Sequence, residues 1–131
     1  MKLLLDTSVL IAYINEDSAI VERLVGYKAR DVSFSTIVLM EALGTLHHGD
    51  GRPANRRKVR DAVARFIVIS FDANAAASAA ALFAKHDIKG NRAPVFDGLI
   101  AAHAQSLDVS IAYMDGDFNR FAIKKQLWTQ A

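Results

Sequence analysis

Leu3-Leu4-Leu5-Asp6-Thr7-Ser8-Val9-Leu10-Ile11 is the stretch that decides the architecture. Three leucines with no charge among them read as a short strand buried on both faces, as in a parallel sheet. The carboxylate that ends them is followed by Thr7-Ser8 and a second apolar run, 9–14. That run reads as a helix capped by a hydroxyl side chain. A strand handing straight to a helix sets up an alternation that the rest of the chain continues.

A helix is expected over about 19–27, a strand at 32–35 and a helix through 37–43. Gly49-Asp50-Gly51-Arg52-Pro53 is the clearest loop signal, and a basic helix follows it at about 55–65. Residues 66–69, branched and aromatic, read as a third strand. Asp72 is placed to cap an Ala-rich helix running to His86. A loop at 89–94 leads to a helix over about 96–107, then a fourth strand at 109–113 and a short fifth at 127–128. Strands alternating with helices imply parallel pairing in an α/β layered sandwich. Phe121 and Trp128 fit either the core or an interface.

With 131 residues, 52% hydrophobic and 23% charged, the chain suits one domain, spanning 1–131, and not a disordered segment. The absence of cysteine excludes disulfides, thiolate zinc sites and cysteine nucleophiles. No apolar run is long enough for a membrane span, and Asp6 interrupts the amino-terminal leucines too early for a signal core. A cytoplasmic protein is the expectation. The net charge of +2 hides an asymmetry. Residues 52–65 carry Arg52, Arg56, Arg57, Lys58, Arg60 and Arg65 against Asp61 alone, so the strip is strongly basic and the remainder slightly acidic. Such a strip suits a polyanionic partner, although a solvated helix face has the same composition.

Four of the 14 acids stand in apolar company. Asp6 ends the leucines, Glu41 interrupts 37–43, Asp97 lies between Val95-Phe96 and Leu99-Ile100, and Asp115 follows Ile111-Ala112-Tyr113-Met114. Capping explains Asp6 and Asp97 singly, and a tight turn explains Asp115-Gly116. Glu41 has no such role in mid-helix. Asp6 and Asp115 both fall beyond the carboxyl ends of expected parallel strands, the edge where open α/β sheets hold their sites. Glu41 and Asp97 can reach the same edge. Ionised carboxylates about 5 Å apart repel by about 3 kcal/mol at an effective dielectric near 20, so a cluster of four calls for protons or a hard cation. All-oxygen ligation suits Mg²⁺ or Mn²⁺. His47-His48, adjacent on a helix, point apart and make a poor zinc pair.

Acids and Mg²⁺ without a covalent nucleophile suit phosphoryl transfer to water, and the basic strip can hold the rest of a polyanion. Together they point to a nuclease. The chain has no Walker A loop, no dinucleotide fingerprint and no Gly-x-Ser-x-Gly elbow. Ser8 stands where an aspartyl-phosphate phosphatase needs a second aspartate.

At this point the chain resembles the PIN-domain family, and more narrowly the VapC-type toxin ribonucleases of type II toxin–antitoxin systems. The opening stretch resembles the family's first motif. Ser35-Thr36-Ile37-Val38-Leu39-Met40-Glu41-Ala42-Leu43 resembles the second, Asp97-Gly98-Leu99-Ile100-Ala101-Ala102-His103-Ala104 the third, and Tyr113-Met114-Asp115-Gly116-Asp117-Phe118 the fourth. The resemblance implies a three-layer α/β/α sandwich around a parallel sheet of four or five strands. It implies Mg²⁺- or Mn²⁺-dependent cleavage of single-stranded RNA, with Asp6 and Asp97 as the main metal ligands. Glu41 and Asp115 complete the catalytic cluster, and Ser8 supports the first aspartate. A homodimer and a cognate antitoxin follow from the same resemblance. Tyr113 departs from the small hydroxyl residue usual in the fourth motif, and Asp117 competes with Asp115 as its acid. Arg56, Arg57, Arg60 and Arg92 are the candidate RNA contacts. The alternatives are a non-catalytic module of the same fold that binds nucleic acid or protein, and a small phosphatase.

Overall fold

Strand β1 (Leu3–Leu5) is the axis of the molecule: all three leucines are inaccessible to solvent in the computed structural model. The structure describes residues 1–48, 53–86, 95–114 and 116–131. β1 pairs in parallel with β2 (Val32–Ser35) on one side and β4 (Ser110–Tyr113) on the other. β3 (Ile67–Ile69) extends the sheet beyond β2, and β5 (Lys125–Leu127) beyond β4. The order is β3-β2-β1-β4-β5, parallel throughout. Burial of a leucine side chain is worth about 1.5–3 kcal/mol, so the central strand is also a large share of the core.

Right-handed crossovers dictate the layers. The chain steps one way from β1 to β3, which puts α1 (Thr7–Ile14), α2 (Ser18–Val25), α3 (Thr36–His48) and α4 (Pro53–Arg65) on one face. It then crosses to β4 and β5, which puts α5 (Ala73–His86), α6 (Val95–Leu107) and a 3₁₀ turn (Gly116–Arg120) on the other. Contacts agree: α1 packs on α2, α3 and α4, and α6 packs on α5 and on the 3₁₀ turn. The fold is an α/β/α sandwich. Among the described residues no helix is long and apolar enough to cross a membrane.

Several local expectations change. The cap of α1 is the Asp6 carboxylate, whose Oδ1 accepts from Val9 N–H at 2.7 Å, and not a hydroxyl. An anionic acceptor beside the helix N-terminus is favoured by the helix dipole as well as by the hydrogen bond. α4 starts at Pro53, a residue suited to the first helical position because its missing N–H would go unused there. α6 starts at Val95, so Asp97 lies within its first turn and not at the cap. The fifth strand is Lys125–Leu127. Trp128 lies beyond it and is buried with Phe121, both 1% exposed, so both are core residues. Asp72 does cap α5, accepting from Ala75 N–H at 2.9 Å.

α6 ends in a left-handed turn at Asp108 (φ 55°). Val109 N–H returns to Ala104 O and Asp108 N–H to Gln105 O, a paired C-terminal cap. β4 begins at once. α6 therefore runs back along the sheet, with its first turn toward the carboxyl edge.

Candidate active site

The strand order creates the site. From β1 the chain moves to β2 on one side, while β4 flanks the other, so the crevice at the carboxyl ends of β1 and β4 is a topological switch point. Asp6 occupies it. Its backbone N–H donates to Ala112 O of β4 at 2.9 Å, continuing the strand pairing by one residue. Its side chain, in a residue 1% exposed, spans the crevice. Oδ1 takes the Val9 N–H from α1, and Oδ2 takes the Met114 N–H from the end of β4 at 3.4 Å. One carboxylate thus closes a helix N-terminus and faces the switch point.

Glu41 is carried there by α3, which starts directly at the end of β2. Ser35 Oγ, wholly buried, accepts from Ile37 N–H and begins that helix. Thr7, next to Asp6, donates its hydroxyl to Glu41 Oε1 at 2.6 Å. This is the length of a charge-assisted bond. Thr7 is the residue that links the two acids, and its side chain was not among the sequence candidates. A threonine beside a motif aspartate was visible; its partner 34 positions away was not.

The remaining candidates fall differently. Asp97 is half-buried in the first turn of α6, a helix that packs on α3. Asp117 is half-buried and pairs with Arg120, Oδ1 to Nη2 3.0 Å. Ser8 lines a groove next to Asp6. Arg56, Arg57 and Arg60 are exposed on α4, which packs on α1 and α3, the helices that bear Thr7 and Glu41. Arg56 and Arg60 flank an apolar trough of about 340 Å³ between α3 and α4. Asp115, Arg92 and the side chains of His47 and His48 lie outside the described residues. Among the described residues no group of three acids or histidines is arranged to hold a metal ion. The Asp6–Glu41 pair offers carboxylate oxygens only, which fits a hard cation in kind.

His103 is a group the sequence reading passed over. It sits on α6 within the third motif and is wholly buried, its ring edge-on to Phe71 at 5.3 Å. Neither ring nitrogen has a hydrogen-bond partner among the described residues. Burial lowers its pKa below the ordinary histidine value, partly opposed by the nearby Asp72 charge. An isolated histidine in an apolar run gives no sequence sign of which way it faces.

The PIN-domain family model matches residues 3–124 of the chain. Among solved structures, VapBC2 from Rickettsia felis bound to a DNA fragment of its promoter superposes with a TM-score of 0.88 at 22% identity, covering 98% of this chain and 100% of that one. DNA-bound VapBC from Salmonella typhimurium gives 0.88 at 26% identity, covering 98% and 99%. VapC20 of Mycobacterium tuberculosis, a sarcin–ricin loop cleaving toxin, gives 0.74 at 17% identity, covering 99% and 100%. No curated protein matches the sequence.

Proposed function

We propose, from the premise that this chain belongs to the PIN-domain family, that it is a metal-dependent endoribonuclease and the toxin of a toxin–antitoxin pair. The observation that carries the reading is the buried Asp6 carboxylate at the β1–β4 switch point with Glu41 linked to it through Thr7. Relatives of the same fold are VapBC complexes, and one is a toxin that cleaves RNA. Their partner chemistry supports an antitoxin for this chain and, by the family resemblance, a homodimer acting in the cytoplasm.

In this reading Asp6 and Asp97 would hold Mg²⁺ or Mn²⁺, which when bound offsets charge on the phosphate and lowers the pKa of water. The chain's own groups do the rest. The amides of Val9 and Met114 fix the Asp6 carboxylate. Thr7 occupies Glu41 Oε1, so Glu41 Oε2 orients the attacking water and takes its proton. Asp115 assists Glu41, and Ser8 and Asp117 are supporting residues. Arg56, Arg57, Arg60 and Arg92 hold the flanking phosphates, whose charge would otherwise oppose approach to an acidic crevice. Water replaces one ester oxygen on phosphorus, and the leaving hydroxyl takes up a proton.

Single-stranded RNA incubated with the purified protein should be cut with Mg²⁺, spared with EDTA, and spared by Asp6→Asn and Asp97→Asn. Undiminished cleavage by both variants defeats the assignment. RNA bound but left intact by the wild type with Mg²⁺ favours the binding-only module.

A further inference from the structure

We infer that the groove beside Asp6 receives an unpaired base of the substrate, the one flanking the bond to be cut; this rests on the ribonuclease reading above. The groove has a volume of about 750 Å³. Two of its lining residues are close to Asp6 in the fold. Ser8 lies two residues farther along α1, and Met114, whose N–H reaches Asp6 Oδ2, lies at the end of β4. A nucleotide whose phosphate sits at the acids therefore has its base within reach of this space.

The lining suits a base better than a phosphate or a charged peptide. Among the described residues no charged side chain lines it. Ile11, Met114 and Leu127 offer apolar walls for a π-face, and Leu127 is 56% exposed. The hydroxyls of Ser8 and Thr129 and the amide of Gln130 offer neutral donors and acceptors for a base edge. Volumes of about 300–1,000 Å³ with a few placed polar groups are usual for small-ligand sites. A base inside a duplex is stacked and paired, so only an unpaired nucleotide can insert.

The outer wall is held in place before any ligand arrives. Trp128, which lines the groove, donates its backbone N–H to Tyr113 O at 2.8 Å and its ring N–H to Gln126 Oε1 at 3.2 Å. The Arg23 guanidinium lies 4.7 Å over its ring. Three residues on, Ala131 N–H donates to both Asp17 carboxylate oxygens, at 3.1 and 3.3 Å. Thr129 and Gln130 are stretched between these anchors, so little ordering is left to oppose binding.

Trp128 is the one tryptophan, so its fluorescence reports on the groove without any need for cleavage. Four 2′-O-methyl homopolymer oligonucleotides, one per base, are titrated into the full chain with Mg²⁺. The expected result is a change in Trp128 emission and at least about a fivefold spread in affinity among bases, reduced to under about twofold by Gln130→Ala combined with Thr129→Val. Equal affinities, or a spread that survives in the double variant, overturn the inference. So does an emission change with an arginine-rich peptide and none with any oligonucleotide, which assigns the groove to protein. In parallel, a random RNA pool is cleaved and the cut ends sequenced. Loss of base preference at one position beside the cut supports the inference, and an unchanged pattern overturns it. Base-selective binding without cleavage would sink the nuclease reading and leave the groove a base site, so the two failures are distinguishable.

Discussion

The Thr7 hydroxyl donates a 2.6 Å hydrogen bond to Glu41 Oε1, joining the first turn of α1 to the second turn of α3. The bond fixes one carboxylate oxygen and leaves the other without this constraint. Thr7→Val removes the donor at nearly constant volume. RNA cleavage should fall about 10- to 100-fold, the usual effect of losing a group that orients a metal-site residue. Stability should change by less than about 1.5 kcal/mol. Thr7→Ser should recover most of the activity; equal cleavage by wild type and Thr7→Val would show that the bond does not position Glu41.

Asp6 serves both as the helix cap of α1 and as a candidate metal ligand, and two substitutions separate the roles. Asparagine caps about as well as aspartate, so Asp6→Asn should unfold at nearly the wild-type denaturant concentration while losing cleavage. Asp6→Ala should lose cleavage and also about 1 kcal/mol of stability. A strongly destabilised Asp6→Asn would mean that the charge itself holds the crevice together.

His103 makes stability depend on pH in a defined direction. Its folded pKa is lowered, chiefly by burial, below the ordinary value of 6.5. Above that value the ring is neutral in both states and has no effect on the balance. As pH falls below it, the unfolded chain takes up the proton first, so folded stability declines until the lower folded pKa is reached. His103→Leu should abolish this part of the acid sensitivity. It should be neutral or stabilising at pH 7.5, because it removes two ring nitrogens without partners among the described residues. Urea melts of both proteins between pH 7.5 and 5 provide the check; parallel curves would refute it.

The exposed arginines of α4 should act through phosphate charge alone. Arg57→Ala and Arg60→Ala should each leave stability within about 0.5 kcal/mol. Each should weaken binding of uncleaved single-stranded RNA uniformly across sequences and lower the log–log salt slope by about 0.7 per lost contact. An unchanged salt slope would return this face to the role of solvated helix surface.

Resolving Asp6, Glu41 and Asp97 as acids in apolar company needed only the sequence, because a carboxylate among leucines or valines violates a local pattern. The helices and most strands were equally legible. Caps, apolar periodicity and loop residues act over a few positions, so most of the errors were shifts of a residue or two at the ends. There are two exceptions: α3 continues to His48, five residues past its expected apolar run, and the fifth strand is displaced because Trp128 is aromatic and strand-like in isolation. In the fold it turns inward beneath Arg23 and Tyr27.

What the chain alone could not decide is which strands are neighbours. The order β3-β2-β1-β4-β5 places Asp6 at a switch point, and that order is selected by side chains more than 100 positions apart packing into one core. The Thr7–Glu41 bond, the inward-facing His103 and the groove walled by residues 127–130 have the same origin. Local propensity chooses the elements; only their mutual burial decides which polar groups meet in the space between them.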